Sequence, residues 1–151
     1  MPVRPSEMTG RPANGDRNGA LWAGRWVDTW SRGWAASDPD IVASAYAEEA
    51  VFRSHPFREP HLGRAGAREY ARQAFADEET VEFRFGEPVA GGDRAAVEYW
   101  AILRSEGVEH TLFGIALLRF GADGLVVEHG DYWEMQEGRA SRRPAGAAER
   151  R

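Results

Sequence analysis

Between residues 81 and 135 the chain runs in strand-length apolar segments separated by short glycine turns, and the first of them alternates strictly. Val81, Phe83 and Phe85 alternate with Glu82 and Arg84. Gly91-Gly92-Asp93, Glu106-Gly107 and Gly121-Ala122-Asp123-Gly124 then separate residues 94–104 (RAAVEYWAILR), 108–120 (VEHTLFGIALLRF) and 125–135 (LVVEHGDYWEM). Successive side chains on a strand face opposite ways, so this period predicts four strands, and such short turns join antiparallel neighbours. The first half has a different period. Trp22, Trp26, Trp30 and Trp34 recur every fourth residue. Each such step advances about 40° around a helix, which places all four on one broad face of a helix over roughly residues 20–35.

Asp38-Pro39-Asp40 reads as a cap followed by proline in the first turn of a second helix. Ile41, Ala45 and Tyr46 form its apolar side, and it is expected to end near Glu48-Glu49. Residues 50–54 (AVFRS) are a short strand, and residues 55–63 (HPFREPHLG) carry two prolines and read as a loop. Residues 64–76 return to helical spacing, with Ala67, Tyr70, Ala71 and Phe75 on one side. Helices followed by strands make the class α+β, with three helices on one face of an antiparallel sheet.

The two middle strands are apolar on both faces. Val97, Tyr99, Ala101 and Leu103 oppose Trp100 and Ile102; Leu112, Gly114, Ala116 and Leu118 oppose Phe113, Ile115 and Leu117. Helices bury one face only, so a second copy of the chain is expected on the other, and a monomer by light scattering at micromolar concentration would end that expectation.

Composition narrows the function classes. There is no cysteine, which excludes disulfides, thiolate metal sites and a cysteine nucleophile. All 19 basic residues are arginine, a bias that suggests a bacterial source. Residues 1–19 hold no apolar run and read as a disordered N-terminal segment without a signal peptide; residues 138–151 (GRASRRPAGAAERR) read as a disordered basic tail. The intervening domain, residues 20–137, carries about ten negative charges net, since the whole chain is at −5 and both ends are positive. An acidic core repels phosphate backbones, so nucleic-acid binding is not expected; neither is a membrane, and the expected location is cytoplasmic. No dinucleotide, nucleotide or serine-hydrolase motif occurs. His55, Glu59 and His61 cluster in the loop without metal-ligand spacing, so no metal is expected.

The last strand carries the chemistry. Glu128, Tyr132 and Glu134 are expected to face out, which turns Leu125, Val127, His129, Asp131, Trp133 and Met135 inward. Burying a carboxylate is costly, and desolvation raises carboxyl pKa values toward the range useful for proton transfer. His129 and Asp131 can therefore form an acid–base pair, with Tyr99 donating a hydrogen bond to a developing oxyanion. The alternative is an internal ion pair of Asp131 with Arg53 and a solvated His129. Gly114 and Ala116 are small where the tryptophan helix packs. They leave either room for indoles or an open cavity, whose lining would include the tryptophans nearest its mouth.

The order of elements and the stretches ASDPDIVASAYAEEAVFRSHPF and VVEHGDYWEM resemble the SnoaL-like branch of the nuclear transport factor 2-like superfamily over about residues 20–136. The resemblance implies a strongly curved sheet wrapped around three helices, a cone-like barrel with a deep apolar pocket, often dimeric through the sheet. It implies no cofactor. In ketosteroid isomerase the base falls near His55, the oxyanion tyrosine at Trp30 and the protonated aspartate at Ala116, so all three are changed. Of the limonene-epoxide hydrolase triad, the positions here are Tyr99, Ala101 and Asp131, and only the last survives. Asp131 best matches the acid–base aspartate of SnoaL-type cyclases. The expected ligand is a small apolar or aromatic molecule, held by Trp26, Trp30, Trp34, His55, Phe57, Ala116 and Trp133. Asp131, His129 and Tyr99 would perform aldol cyclisation, isomerisation or hydrolysis. A binding or dimerisation module of the same fold without turnover is the competing reading.

Overall fold

Four tryptophans at every fourth position do form a helix. In the computed structural model, which describes residues 18–141, α1 spans Gly19–Ala36 and buries Trp22, Trp26 and Trp30 along one face. It ends at Ser37, whose left-handed backbone turns its N–H back to the carbonyls of Gly33 and Trp34. Asp38 caps α2 (Pro39–Ala43), accepting from the N–H groups of Asp40 and Ile41. Pro39 occupies the first turn, where a missing N–H costs nothing.

The second helix is a single turn and does not run to Glu49. Ser44 closes it by donating its hydroxyl to the Ile41 carbonyl at 2.6 Å, and β1 (Tyr46–Arg53) begins two residues later. Residues 47–50 favour helix by propensity. Burial of Tyr46, Ala47, Ala50 and Phe52, together with pairing to the last strand, outweighs that preference.

The remaining elements are β2 (His61–Leu62), α3 (Gly63–Asp77), β3 (Glu79–Phe85), β4 (Val89–Gly91), β5 (Arg94–Ser105), β6 (Val108–Phe120) and β7 (Val126–Glu137). The loop expected over 55–63 thus contains a short strand, antiparallel to β1. The sheet runs β2-β1-β7-β6-β5-β3, with β4 beside β5. It is open at β2 and β3, not a closed barrel, and it is mixed. β1 lies parallel to β7, because nearly the whole domain separates them and no hairpin dictates their direction.

Alternation holds where it positions the site and slips at one end. Val97, Tyr99, Ala101 and Leu103 on β5 and Ala116 and Leu118 on β6 are buried as expected. On β7, however, Arg119 pairs with Glu128 and Phe120 with Val126, so Val127 is an extra residue. This bulge puts Val126 in the core in place of Leu125 and Val127, while His129, Asp131 and Trp133 keep the inward parity. Met135 also faces inward and lines the cavity, though at the sheet's far end it is about half exposed.

The outer face is less bare than two-sided strands suggest. Trp100 and Ile102 are buried within the chain. Residues 138–140, expected in the tail, turn back against Thr111, which stands opposite Ile102: Thr111 Oγ1 donates to the Gly138 carbonyl and accepts from the Ala140 N–H. The rest of the expected tail, residues 142–151, and residues 1–17 of the expected N-terminal segment lie outside the described residues. Among the described residues no helix is long and apolar enough to cross a membrane.

Candidate functional site

His129 and Asp131 are both on the inner face of β7, at 2% and 7% exposure. Their side chains meet: His129 Nε2 lies 2.6 Å from Asp131 Oδ1. Arg53, by contrast, is exposed and close in charge to Glu128, so the ion pair with Asp131 does not form. Nor does His129 sit at a wet rim. Phe52 stacks on its ring at 4.1 Å, and Trp26 meets it edge-on at 5.4 Å.

The other imidazole nitrogen finds a residue that the sequence reading put on a helix. Tyr46 starts β1, parallel to β7, and its hydroxyl is 2.7 Å from His129 Nδ1. The same oxygen accepts from the indole N–H groups of Trp30 at 3.1 Å and Trp26 at 3.3 Å. Two stripe tryptophans therefore hold a tyrosine, which holds a histidine, which holds an aspartate. Loss of hydration pushes the Tyr46 phenol well above its ordinary range, and the Asp131 charge adds to this against the pull of the indole donors. Burial and the Asp131 charge likewise raise the phenols of Tyr70 and Tyr99, so all three remain neutral O–H groups around the carboxylate.

Asp131 opens on a cavity of about 610 Å³, within the roughly 300–1,000 Å³ of ligand pockets. Trp26, Trp30, Trp34, Phe83, Phe85 and Trp133 supply aromatic wall, and Tyr99, His129 and Asp131 the polar end. Arg58, Glu59, Asp77 and Glu78 also line it. The indoles do not offer their N–H groups to a ligand: Trp34 donates to Thr80 Oγ1 at 2.8 Å and Trp133 to the Ser54 carbonyl at 2.7 Å. Trp22 lies elsewhere, against Phe120 and Gly124 in the core. The stripe therefore does both jobs, sealing the core at one end and lining the cavity along the rest.

Three of the residues expected to bind ligand are not among the cavity's lining. Ala116 is fully buried in the core, beside Asp131 in register. Phe57 is 93% exposed on the loop. His55 sits outside against the edge of Trp133, accepting from the Phe57 N–H. Gly114 is small for a local reason: a Cβ there would come within 2.7 Å of the Tyr99 ring and 2.8 Å of Trp133 Cβ. Its absence seats the Tyr99 phenol instead of leaving a void. Among the described residues no group of three or more His, Asp or Glu is placed to hold a metal.

Comparison with known proteins agrees with this architecture. A family model described as a SnoaL-like domain matches residues 25–129. No curated protein matches in sequence. Several solved structures are similar in fold. One is a hypothetical protein from Catenulispora acidiphila DSM 44928 with a ketosteroid isomerase-like fold, in complex with trimethylamine. It is 18% identical, with a TM-score of 0.64 over 71% of this chain and 83% of that one. Another is an epoxide hydrolase from M. tuberculosis resembling limonene-epoxide hydrolase, 17% identical with a TM-score of 0.64 over 76% and 84%. A third is SalBIII, an epoxide hydrolase/cyclase-like enzyme of pyran ring formation in the polyether salinomycin, 17% identical with a TM-score of 0.66 over 76% and 95%.

Proposed function

The chain belongs to the SnoaL-like domain family, and on that premise we propose that it binds a small apolar or aromatic molecule in the cavity and takes a proton from it with Asp131. The observation that carries this reading is the placement of the carboxylate. Asp131 stands at the cavity wall at the end of a buried hydrogen-bond chain, with aromatic side chains forming much of the cavity around it. A carboxylate so enclosed is screened from bulk water and acts on a ligand at short range, the arrangement that general base catalysis needs. Being an acceptor only, it receives the Nε2–H of His129, while the Tyr99 phenol faces it from β5.

Similar proteins are named for epoxide hydrolysis and pyran ring formation. An acid–base carboxylate buried at a cavity wall serves hydrolysis, ring closure and isomerisation alike, so the reaction type follows the ligand. The test has two steps. A panel of small aromatic and alicyclic molecules is first screened by quenching of the wild-type tryptophan fluorescence. A ligand that turns over is then compared between wild type and Asp131→Asn. Turnover should fall by about 10²-fold or more, the scale of a general base, while the dissociation constant stays within about threefold, since the amide oxygen still accepts from His129. Undiminished turnover in Asp131→Asn would remove the carboxylate from the mechanism. Binding without turnover in wild type would make the cavity a carrier site.

A further inference from the structure

We infer that Tyr46 is a positioning residue that fixes His129 as the neutral Nε2–H tautomer, so that Asp131 is the proton acceptor of the site and the ligand is the molecule that brings the proton. This rests on the reading of the cavity as an acid–base site and specifies the direction of its first step.

The argument is a count of hydrogens and lone pairs. A tyrosine hydroxyl offers one O–H and two lone pairs. The indoles of Trp26 and Trp30 point their N–H groups at the Tyr46 oxygen and occupy both lone pairs. The hydroxyl hydrogen is left as the bridge to His129 Nδ1, 2.7 Å away, and among the described residues it has no other acceptor. Nδ1 must then be the unprotonated nitrogen. The ring proton sits on Nε2 and is donated to Asp131 Oδ1 at 2.6 Å.

The opposite state fails on the same count. An imidazolium would aim Nδ1–H at Tyr46 as a third donor to an oxygen with two lone pairs. It would also leave the buried phenol hydrogen with no partner, a cost that buried polar groups rarely bear. No other group intervenes. The ring is packed by Phe52 from β1 and by the indoles from α1. The titratable groups beside it are Tyr46 from β1 and Asp131 from β7; Tyr70 from α3 and Tyr99 from β5 act on Asp131.

Every hydrogen in the chain from indole to phenol to imidazole therefore points toward Asp131. His129 has no second proton to give, which removes it as the general acid. The step that remains moves a proton from the ligand's X–H bond to Asp131, with the bonding pair staying on X. X is a carbon beside a carbonyl or a hydroxyl oxygen, and no oxidant or reductant is required. Return of the proton falls to the protonated Asp131.

The test needs no ligand, so it can fail independently of the proposed function. Long-range ¹H–¹⁵N correlation spectra of the imidazoles, recorded on the ligand-free protein at pH 7, report the tautomer directly. In wild type, His129 should show a protonated Nε2 and a pyridine-like Nδ1. In Tyr46→Phe, Nδ1 loses its donor, and part of the His129 population should show a protonated Nδ1 at the same pH. Trp30→Phe frees one lone pair on the Tyr46 oxygen and should shift the same signals in the same direction by less. If Tyr46→Phe does not fold, wild type and Trp30→Phe carry the test. An Nδ1–H tautomer or an imidazolium in wild type at pH 7 would overturn the assignment, as would a Tyr46→Phe spectrum identical to that of wild type.

Discussion

The inner and outer faces of β6 and β7 are built from neighbouring residues and obey different rules. On the inner face, His129 and Asp131 are buried, and each ring nitrogen of His129 has one defined partner. One residue further along the strand, the outer face carries a solvent-exposed Arg119–Glu128 pair at 2.9 Å and leaves Ile115, Leu117 and Tyr132 at 39%, 45% and 54% exposure. A surface ion pair of that kind contributes about 0–1 kcal/mol. A buried polar group that loses its partner costs about 1–3 kcal/mol. A one-residue step along the strand therefore changes the chemistry from specified to tolerant.

The largest test of this contrast makes the same change on both faces. Tyr46→Phe removes one oxygen and strands two indole N–H groups and His129 Nδ1 in the core. With partial relaxation the loss should be roughly 2–4 kcal/mol. For a domain this size that lowers the thermal midpoint by about 5–15 °C. Tyr132→Phe removes an exposed oxygen and should stay within about 0.5 kcal/mol of wild type. Equal midpoints for the two variants, measured by calorimetry, would mean that the Tyr46 network contributes nothing to stability.

A second test asks what the outer face is for. Ile115 and Tyr132 are directly opposite in register, and Leu117 stands two residues along, so the three form one apolar patch. We expect a second copy of the chain to cover it, over a smaller area than the two-sided strands suggest, because Trp100 and Ile102 are already buried. Leu117→Glu should then convert a dimer to a monomer in sedimentation equilibrium, while changing the stability of the monomer by no more than about 0.5 kcal/mol. A wild-type monomer at micromolar concentration would leave the patch as ordinary apolar surface.

Much of the site was legible because strand parity is a strict code. His129 and Asp131 are two positions apart, and nothing local interrupts the alternation between them, so their shared inward face follows from spacing alone. The slip occurs where a bulge adds Val127, a feature of pairing with β6 that spacing cannot contain. Tyr46 was hidden for a different reason. Tyr-Ala-Glu-Glu-Ala continues a helical pattern by propensity, and only the distant β7 draws it into a strand. Ser44 and the short span after the Asp38 cap were the available hints of an early stop. Ala116 misled in the other direction, since a small residue on an inner face can mark a tight core as well as a cavity. The cavity's acidic residues, Glu59, Asp77 and Glu78, lie in a loop and at the C-terminal end of α3, where no periodicity orients them.

Glu78 gives the smallest and most pH-specific effect, because it belongs to neither face. It is half-buried at the cavity rim, and among the described residues it makes no salt bridge. Loss of hydration, with the neighbouring Asp77 charge, raises its carboxyl above the ordinary value of 4.5, against a smaller opposing pull from His110. The sign follows from linkage. The folded chain holds this proton more tightly than the unfolded chain does, so stability falls as pH rises from 4.5 through the folded value and stays lower above it. Glu78→Gln removes the charge and should raise the midpoint at pH 8 by about 1–3 °C, a shift worth well under 1 kcal/mol at a site still open to solvent. Below pH 4.5 the gain should vanish, since both side chains are then neutral. A lower midpoint for Glu78→Gln at pH 8 would show that the charged carboxylate has a stabilising partner, and the rim would then follow the paired logic of the inner face.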